Sequence, residues 1–524
     1  MWGRHRVSKR WPRTPVVVLA LALVLALGGL ALVVGLPRGP IVYTITLDAH
    51  PDGATFDPTG RYVFIPTHTI DPQTQNRTPA RLVVLDLRHG SLVRAVDVGI
   101  DPQATAFDAR RRHFIVAGTN ALALVNIRTG GVATVPLPAS MFDPLIVDDQ
   151  RDRFYGVDNS TAGISAGLDI FDARTGALLK RVALGDSQDS GGLDNANTIA
   201  ADEQIGRLYV PYTSSIYGTK VMTDRVAVLD TSGRLIGAAT LGRFAGQGSG
   251  ALSVAVDSER GRVVILDPNT GDVTTLDARN GRLVRTLHLT AASVMQAGLI
   301  AFGPSVLDVH TGRLFLTMPR RQVCTFARTA GGGSSGRCVP TGPPGRLYML
   351  DTGAGRVLRH LAVGADPGWL TLDEKAGCVL AQSYAASPSP TASGTLRVFD
   401  ALTGALRWQA PLGPQNAGRY AVVDDATGRV YLVDRQGSIA LIDARTGRVS
   451  ASETAPELAL AAPQSGSVSV TITHGHVVAV RDNGTDVPPS DPLGWLPGQI
   501  RHLLPWRPPR PRTVSGSVSI FDAP

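Results

Sequence analysis

Cysteine is nearly missing from this chain: Cys324, Cys338 and Cys378 are the only three in 524 residues. A small core held by many disulfides is thereby excluded. Acid is missing from both ends. Residues 1–40 carry six Lys/Arg and no Asp or Glu, and residues 501–512 carry four Arg and no acid. With those ten cations set aside, the net charge of +8 becomes −2 for the rest. The body is near neutral, so its basic balance gives no case for nucleic-acid binding. Helical periodicity is absent outside one N-terminal segment. No Gly-x-Ser-x-Gly stands in a strand–turn–helix context, because no helix is there to supply it; GQGSG from Gly246 reads as a flexible loop. No Walker-type phosphate loop is present either.

What is present is a repeat. A strand, an Asp, two or three residues, a Gly and a second strand recur as RLVVLDLRHGSLVRAV from Arg81, LDIFDARTGALLKRV from Leu168, VTTLDARNGRLVRTL from Val273, LRVFDALTGALRWQA from Leu396 and IALIDARTGRVSASE from Ile439. A second hairpin precedes it in each unit, as in ATFDPTGRYVFIP from Ala54 and YAVVDDATGRVYLV from Tyr420. Asp caps the first position of a tight turn and Gly takes the positive φ that follows. Each unit is therefore four short strands, and four-stranded units repeated radially make a β-propeller. The 57 Gly and 36 Pro suit such a chain. Nine phrases occur, at Asp86, Asn126, Asp172, Asp230, Asp277, Asp351, Asp400, Asp443 and Asp522. The expected fold is all-β: one closed propeller of seven to nine blades over residues 41–524. The last phrase ends before its outer strand, and IVYTITLDAHP from Ile41 reads as that missing strand, closing the ring with both chain ends.

The motifs VDVGIDPQATAFDARRRHFIVA from Val96 and LAVGADPGWLTLDEKAGCVLA from Leu361 resemble the YVTN family of β-propellers. FDALTGALRWQAPLG from Phe399 resembles the quinoprotein, or PQQ-type, repeat. The likeness covers residues 41–524 at fold level, and it implies surface-layer proteins, binding modules or a few enzymes. A quinoprotein dehydrogenase would imply Trp in most repeats and two adjacent cysteines. Here only Trp408 holds the repeat position, and no two cysteines adjoin.

Five cations precede the uncharged run 15–36. A spanning helix needs about 20 residues, and basic flanks stay cytoplasmic. The expectation is a cytoplasmic tail (1–14), a transmembrane signal-anchor (15–36), a four-residue linker (37–40) and an extracytoplasmic propeller on the cell membrane. A cleaved signal peptide would have a shorter apolar region.

Within a unit, label the strands a to d from the inside outward. The a–b and c–d turns are short and share one end of the propeller. The long insertions fall in the b–c connections (Thr67–Ala80, Tyr212–Asp224, Pro319–Gly345, Tyr384–Ser393, Asn483–Ser515) and the d–a connections (Asp186–Asn197, Arg243–Gly250, Thr290–Ala297), at the other end. Long loops on a rigid scaffold concentrate binding residues. A protein or envelope-polymer partner is expected there, with the tight-turn end toward the bilayer.

Among candidate sites, Asp186, Asp189 and Asp194 sit in an oxygen-rich loop suited to calcium. Position twelve of that loop is Asn197 rather than Glu, so a solvated polar loop competes. His474 and His476 sit two apart at an a–b turn with no acidic or Cys partner near in sequence. Trp495 and Trp506 lie in a Pro- and Arg-rich insertion, 486–512, with the composition of a binding arm. Cys324 and Cys338 bracket a Gly/Ser-rich loop with little order of its own, which a disulfide would restrict; Cys378 reads as a core residue. The function expected is non-catalytic binding, sensing or envelope scaffolding. The alternative is a quinoprotein-like oxidoreductase or a hydrolase using the central channel.

Overall fold

The structure is a computed structural model. It describes residues 42–47, 49–57, 59–70, 77–137, 141–158, 167–184, 196, 198–215, 221–245, 252–268, 270–289, 305–318, 322–328, 334–340, 345–364, 366–384, 393–414, 420–424, 427–433, 438–454, 468–473, 476–482 and 516–522. The segment 15–36 lies outside them. Among the described residues no helix is long and apolar enough to cross a membrane.

The repeat builds antiparallel sheets. Nine sheets have the four-strand path a-b-c-d, spanning 50–97, 104–136, 141–183, 200–245, 253–288, 305–362, 366–414, 420–454 and 468–522. They are numbered one to nine below. The first divides its strand a into His50–Pro51 and Thr55–Phe56, both paired with Tyr62–Ile70. The ninth takes its strand d from the other end of the chain: Val42–Leu47 pairs with Gly516–Asp522, Val42 opposite Phe521.

Burial gives the radial order. Strand b is sealed on both faces, as in Arg262–Asp267, whereas the outer strand Leu178–Ala183 is mostly exposed. Inner strands such as Ser305–Asp308 are half-buried. Apolar clusters join neighbouring sheets. Phe154 and Phe171 of sheet three stack at 4.8 Å and pack on Leu122 and Leu124 of sheet two. Val478, Val480, Val518 and Ile520 of sheet nine pack on Val63, Ile65, Val83 and Leu85 of sheet one.

The tight turns explain why the Asp and Gly recur. Eight a–b turns hold a buried Asp, from Asp57 to Asp424. In sheet two, Asp108 Oδ1 accepts the Arg111 amide at 2.8 Å. The c–d turns use the same device: Asp443 Oδ1 accepts the Thr446 amide at 2.7 Å and the Arg445 amide at 3.1 Å. Backbone just past that Asp is gripped by the preceding sheet. Tyr209 Oη donates to Ala278 O at 2.7 Å, and Trp408 Nε1 to Ala444 O at 2.8 Å. The turn Gly447, at φ +71°, lies flat on the Trp408 ring, so a Cβ there would stand 2.7 Å from Trp408 Cδ2. Tyr43, on the N-terminal strand, lies against Gly90 of sheet one in the same way.

Strand d leaves its turn through a bulge. In seven sheets the c–d register shifts within the first residues of d, as between Ile170 (opposite Lys180) and Phe171 (opposite Leu178). A bulge re-aims the side chains beside it. Here it turns aliphatic residues outward: Leu92, Leu179, Leu235, Leu283, Leu406 and Val449, in six different sheets, are each 51–60% exposed.

Three expected loops are partly strand. The insertion Thr67–Ala80 is largely a prolongation of b to Ile70 and of c from Arg77, and Tyr212–Asp224 prolongs b to Ser215 and c from Val221. Thr, Ser and Val favour that extension. The Gly/Ser-rich stretch in Pro319–Gly345 carries a separate two-stranded hairpin, Gln322–Arg328 with Ser334–Pro340. Gly336 lies within its second strand, opposite Phe326.

Candidate functional site at the insertion end

Because a and c run from the insertion end toward the tight turns, and b and d run back, the last residues of b and the first of c meet under the insertions. The sequence places polar residues there. In sheet one, His50 and His68 face each other across strands a and b, both buried, with ring centroids 5.4 Å apart. His68 Nδ1 lies 3.0 and 3.1 Å from the two Asp52 carboxylate oxygens. In sheet two, Gln103 Nε2 donates to Asp101 Oδ2 at 3.1 Å. In sheet four, Thr213 Oγ1 donates to buried Asp224, and Thr223 and Ser214 beside them are also buried. In sheet five, His288 Nδ1 lies 2.6 Å from Asp272 Oδ1. In sheet seven, Arg397 donates to Ser383 Oγ at 3.5 Å. A layer of hydrogen-bonding groups thus underlies this end.

Sheet three contributes its most costly group. Asp169 is fully buried on strand c, opposite Gly156, and among the described residues neither carboxylate oxygen has a hydrogen-bond partner. Arg181 Nε is 3.9 Å away, too far for a hydrogen bond. Burial therefore pushes the Asp169 carboxyl up to about 7. Gly167 leaves the room that the Arg181 side chain occupies. The contrast with the turns is physical. At Asp400 burial also works upward, but hydrogen bonds from Arg407 and Thr403 outweigh it and hold the carboxyl at about 2.

These groups can donate and accept hydrogen bonds and, at Asp169, change charge near neutral pH. Among the described residues, no group of three or more His, Cys, Asp or Glu is arranged to hold a metal ion. Asp186, Asp189, Asp194, His474, Trp495 and Trp506 lie outside the described residues. His476 is described as the first residue of its strand, paired with Thr473. Cys378 is in the core, its Sγ 3.8 Å from Ala444 O, and burial pushes its thiol up to about 12. Cys324 and Cys338 stand directly opposite in the register of the separate hairpin.

Sequence reasoning did not single out His50, His68, Asp169 or Asp224. Asp169 carried a signal: it interrupts the apolar run of LDIFD in a strand otherwise sealed. The histidines carried none, since their pairing depends on a bulge dividing strand a.

Residues 165–485, more than half of the chain, match the family described as outer membrane protein assembly factor BamB. No curated protein matches the sequence. Among solved structures, the chain is similar to BamB from Moraxella catarrhalis at 16% identity, covering 81% of this chain and 97% of that one with a TM-score of 0.40. A europium-containing methanol dehydrogenase aligns at 12% identity over 92% of both chains, TM-score 0.45. A eukaryotic initiation factor aligns at 8% identity over 79% of this chain and 89% of that one, TM-score 0.49. Likenesses this distant carry no argument about function.

Proposed function

The chain belongs to the family described as outer membrane protein assembly factor BamB, and from that premise we propose that it is a non-catalytic scaffold of the cell envelope. Its nine sheets close as one ring, the segment 15–36 anchors it with the propeller outside, and a protein or envelope polymer binds at the insertion end. The observation that carries this reading is the polarity of the molecule. One end is built from short turns, most of them clamped by Asp and several gripped by the preceding sheet. The other end carries the long insertions, over a layer of hydrogen-bonding groups that are buried at His50, His68, Asp169 and Asp224. Closure is supported by the pairing of Val42–Leu47 with Gly516–Asp522 and by the apolar cluster between sheets nine and one. A directly opposed Cys pair at ordinary antiparallel spacing, about 4.5–5.5 Å between Cα atoms, is within disulfide reach. We assign Cys324–Cys338 as a disulfide on that basis.

The test is photo-crosslinking from the full chain in cells. A photoreactive residue replacing exposed His288 at the insertion end should capture a partner, and one replacing Arg445 at a tight turn should not. Replacing 322–340 or 486–512 with a short Gly/Ser linker should weaken the capture. Capture confined to the Arg445 position would overturn the reading.

A further inference from the structure

We propose that the outer rim of the tight-turn end is a docking surface for an anionic lipid bilayer, so that the propeller lies on the membrane with its insertion end raised. This rests on the anchor reading above only for where the membrane is, and the rim has its own test.

Two observations carry it. The first is a set of aliphatic side chains beside the bulges, half or more exposed: Leu92, Leu235, Leu283, Leu406 and Val449 hold the same position of strand d, opposite the residue before the turn Asp, in five sheets, and Leu179 stands one residue further on in a sixth. Scattered exposed leucines need no explanation, but a set repeated at one register position marks a surface for contact. The second is charge. The eight c–d hairpins from 86–97 to 443–454 hold 16 Lys/Arg against nine Asp/Glu. Residues 41–524 outside them and outside 501–512 hold 25 Lys/Arg against 34 Asp/Glu. The c–d hairpins are therefore net cationic in a body that is otherwise acidic, with Arg181 and Arg243 at the insertion end of strand d and the turn cations on the rim. Arg88, Arg174 and Arg279 are exposed on the turns, beside the outward aliphatic residues. Shallow aliphatic insertion together with guanidinium contact to lipid phosphate is the chemistry of an interfacial surface, with each cation worth about fivefold in affinity.

Chain length supplies the geometry. Val42–Leu47 is a strand d, so it starts at the tight-turn end. Only residues 37–41 separate it from the apolar run, a span of about 18 Å at most. The bilayer that takes the run must therefore lie close to this rim and not to the insertions.

The experiment is to reconstitute the full chain into phosphatidylglycerol vesicles containing a lipid with a diazirine near its headgroup. After photolysis, the labelled peptides are mapped by mass spectrometry. Labelling is expected in peptides holding Leu179, Leu283 and Leu406. It should fall in high salt and in phosphatidylcholine, and about fivefold for each of Arg174→Ser and Arg279→Ser. Leu179→Ser with Leu283→Ser should lower it without loss of folding, because both side chains are already half exposed. Labelling of 15–36 alone would overturn the docking and leave the anchor. Labelling of the rim without 15–36 would keep the docking and remove the anchor. Labelling that is independent of salt and lipid charge would also overturn the proposal.

Discussion

Asp169 is the residue whose protonation the fold changes most usefully. Its carboxyl is raised from the ordinary aspartate value near 4 to about 7 by burial. The folded protein then holds a proton that the unfolded chain has lost, so stability falls as pH rises from about 4 to about 7, by an order of 4 kcal/mol. Asp169→Asn should flatten that decline. Denaturant midpoints measured across this window for both proteins check it, and parallel curves would mean that Arg181 already holds the carboxylate charged. Gly447 offers a second test. Its φ of +71° and the Trp408 ring 2.7 Å from any added Cβ make Gly447→Ala costly by more than the roughly 1–2 kcal/mol of the left-handed backbone alone. Trp408→Ala in the same background should recover part of that loss, which a thermal melt of the double variant would register.

At the scale of elements, the c–d turn was fully legible, because Asp and Gly act locally and their spacing is the turn. Asp400→Ala removes the acceptor for the Thr403 amide and for Arg407, so it should cost about 1–3 kcal/mol, with Asp400→Asn costing less. Since the carboxyl is held at about 2, its contribution is present above about pH 4 and lost as pH falls toward 2. Urea midpoints at neutral and acid pH should therefore differ less for Asp400→Ala than for the parent. The hairpin 322–340 was not legible. Its pairing comes from alternation across a Gly-rich tip, a signal that composition drowned. If Cys324 and Cys338 are joined, the native mass falls short of the reduced mass by two hydrogens. The cross-link closing a loop of this size is worth about 3 kcal/mol to the arm. Alkylation of the unfolded, unreduced chain should modify Cys378 alone; three modified cysteines would contradict the bond.

For the whole molecule, the nine phrases correspond one to one with nine sheets, and the use of both chain ends in the last sheet was readable from a phrase that stops one strand short. What could not be read was the polar layer under the insertions, because His50 with His68 and Thr213 with Asp224 meet only through register. Placing Pro at both Thr44 and Ile45 must remove at least one donor from the ladder to Gly516–Asp522, whichever of the two faces it. The melting temperature should drop and the sharp single transition should broaden. An unchanged melt would mean that the stability of the molecule does not depend on this strand.

That shared sheet also sets a clock. Val42–Leu47 is made about 470 residues before its partner Gly516–Asp522. At the usual pace of roughly 5–20 residues per second, the first strand waits on the order of 25–90 s for the strand it pairs with. Until then Val63, Ile65, Val83 and Leu85 lack the sheet-nine side chains Val478, Val480, Val518 and Ile520 that pack on them in the finished protein. Synthesis itself, rather than any later collapse, sets the earliest moment at which this protein can be native.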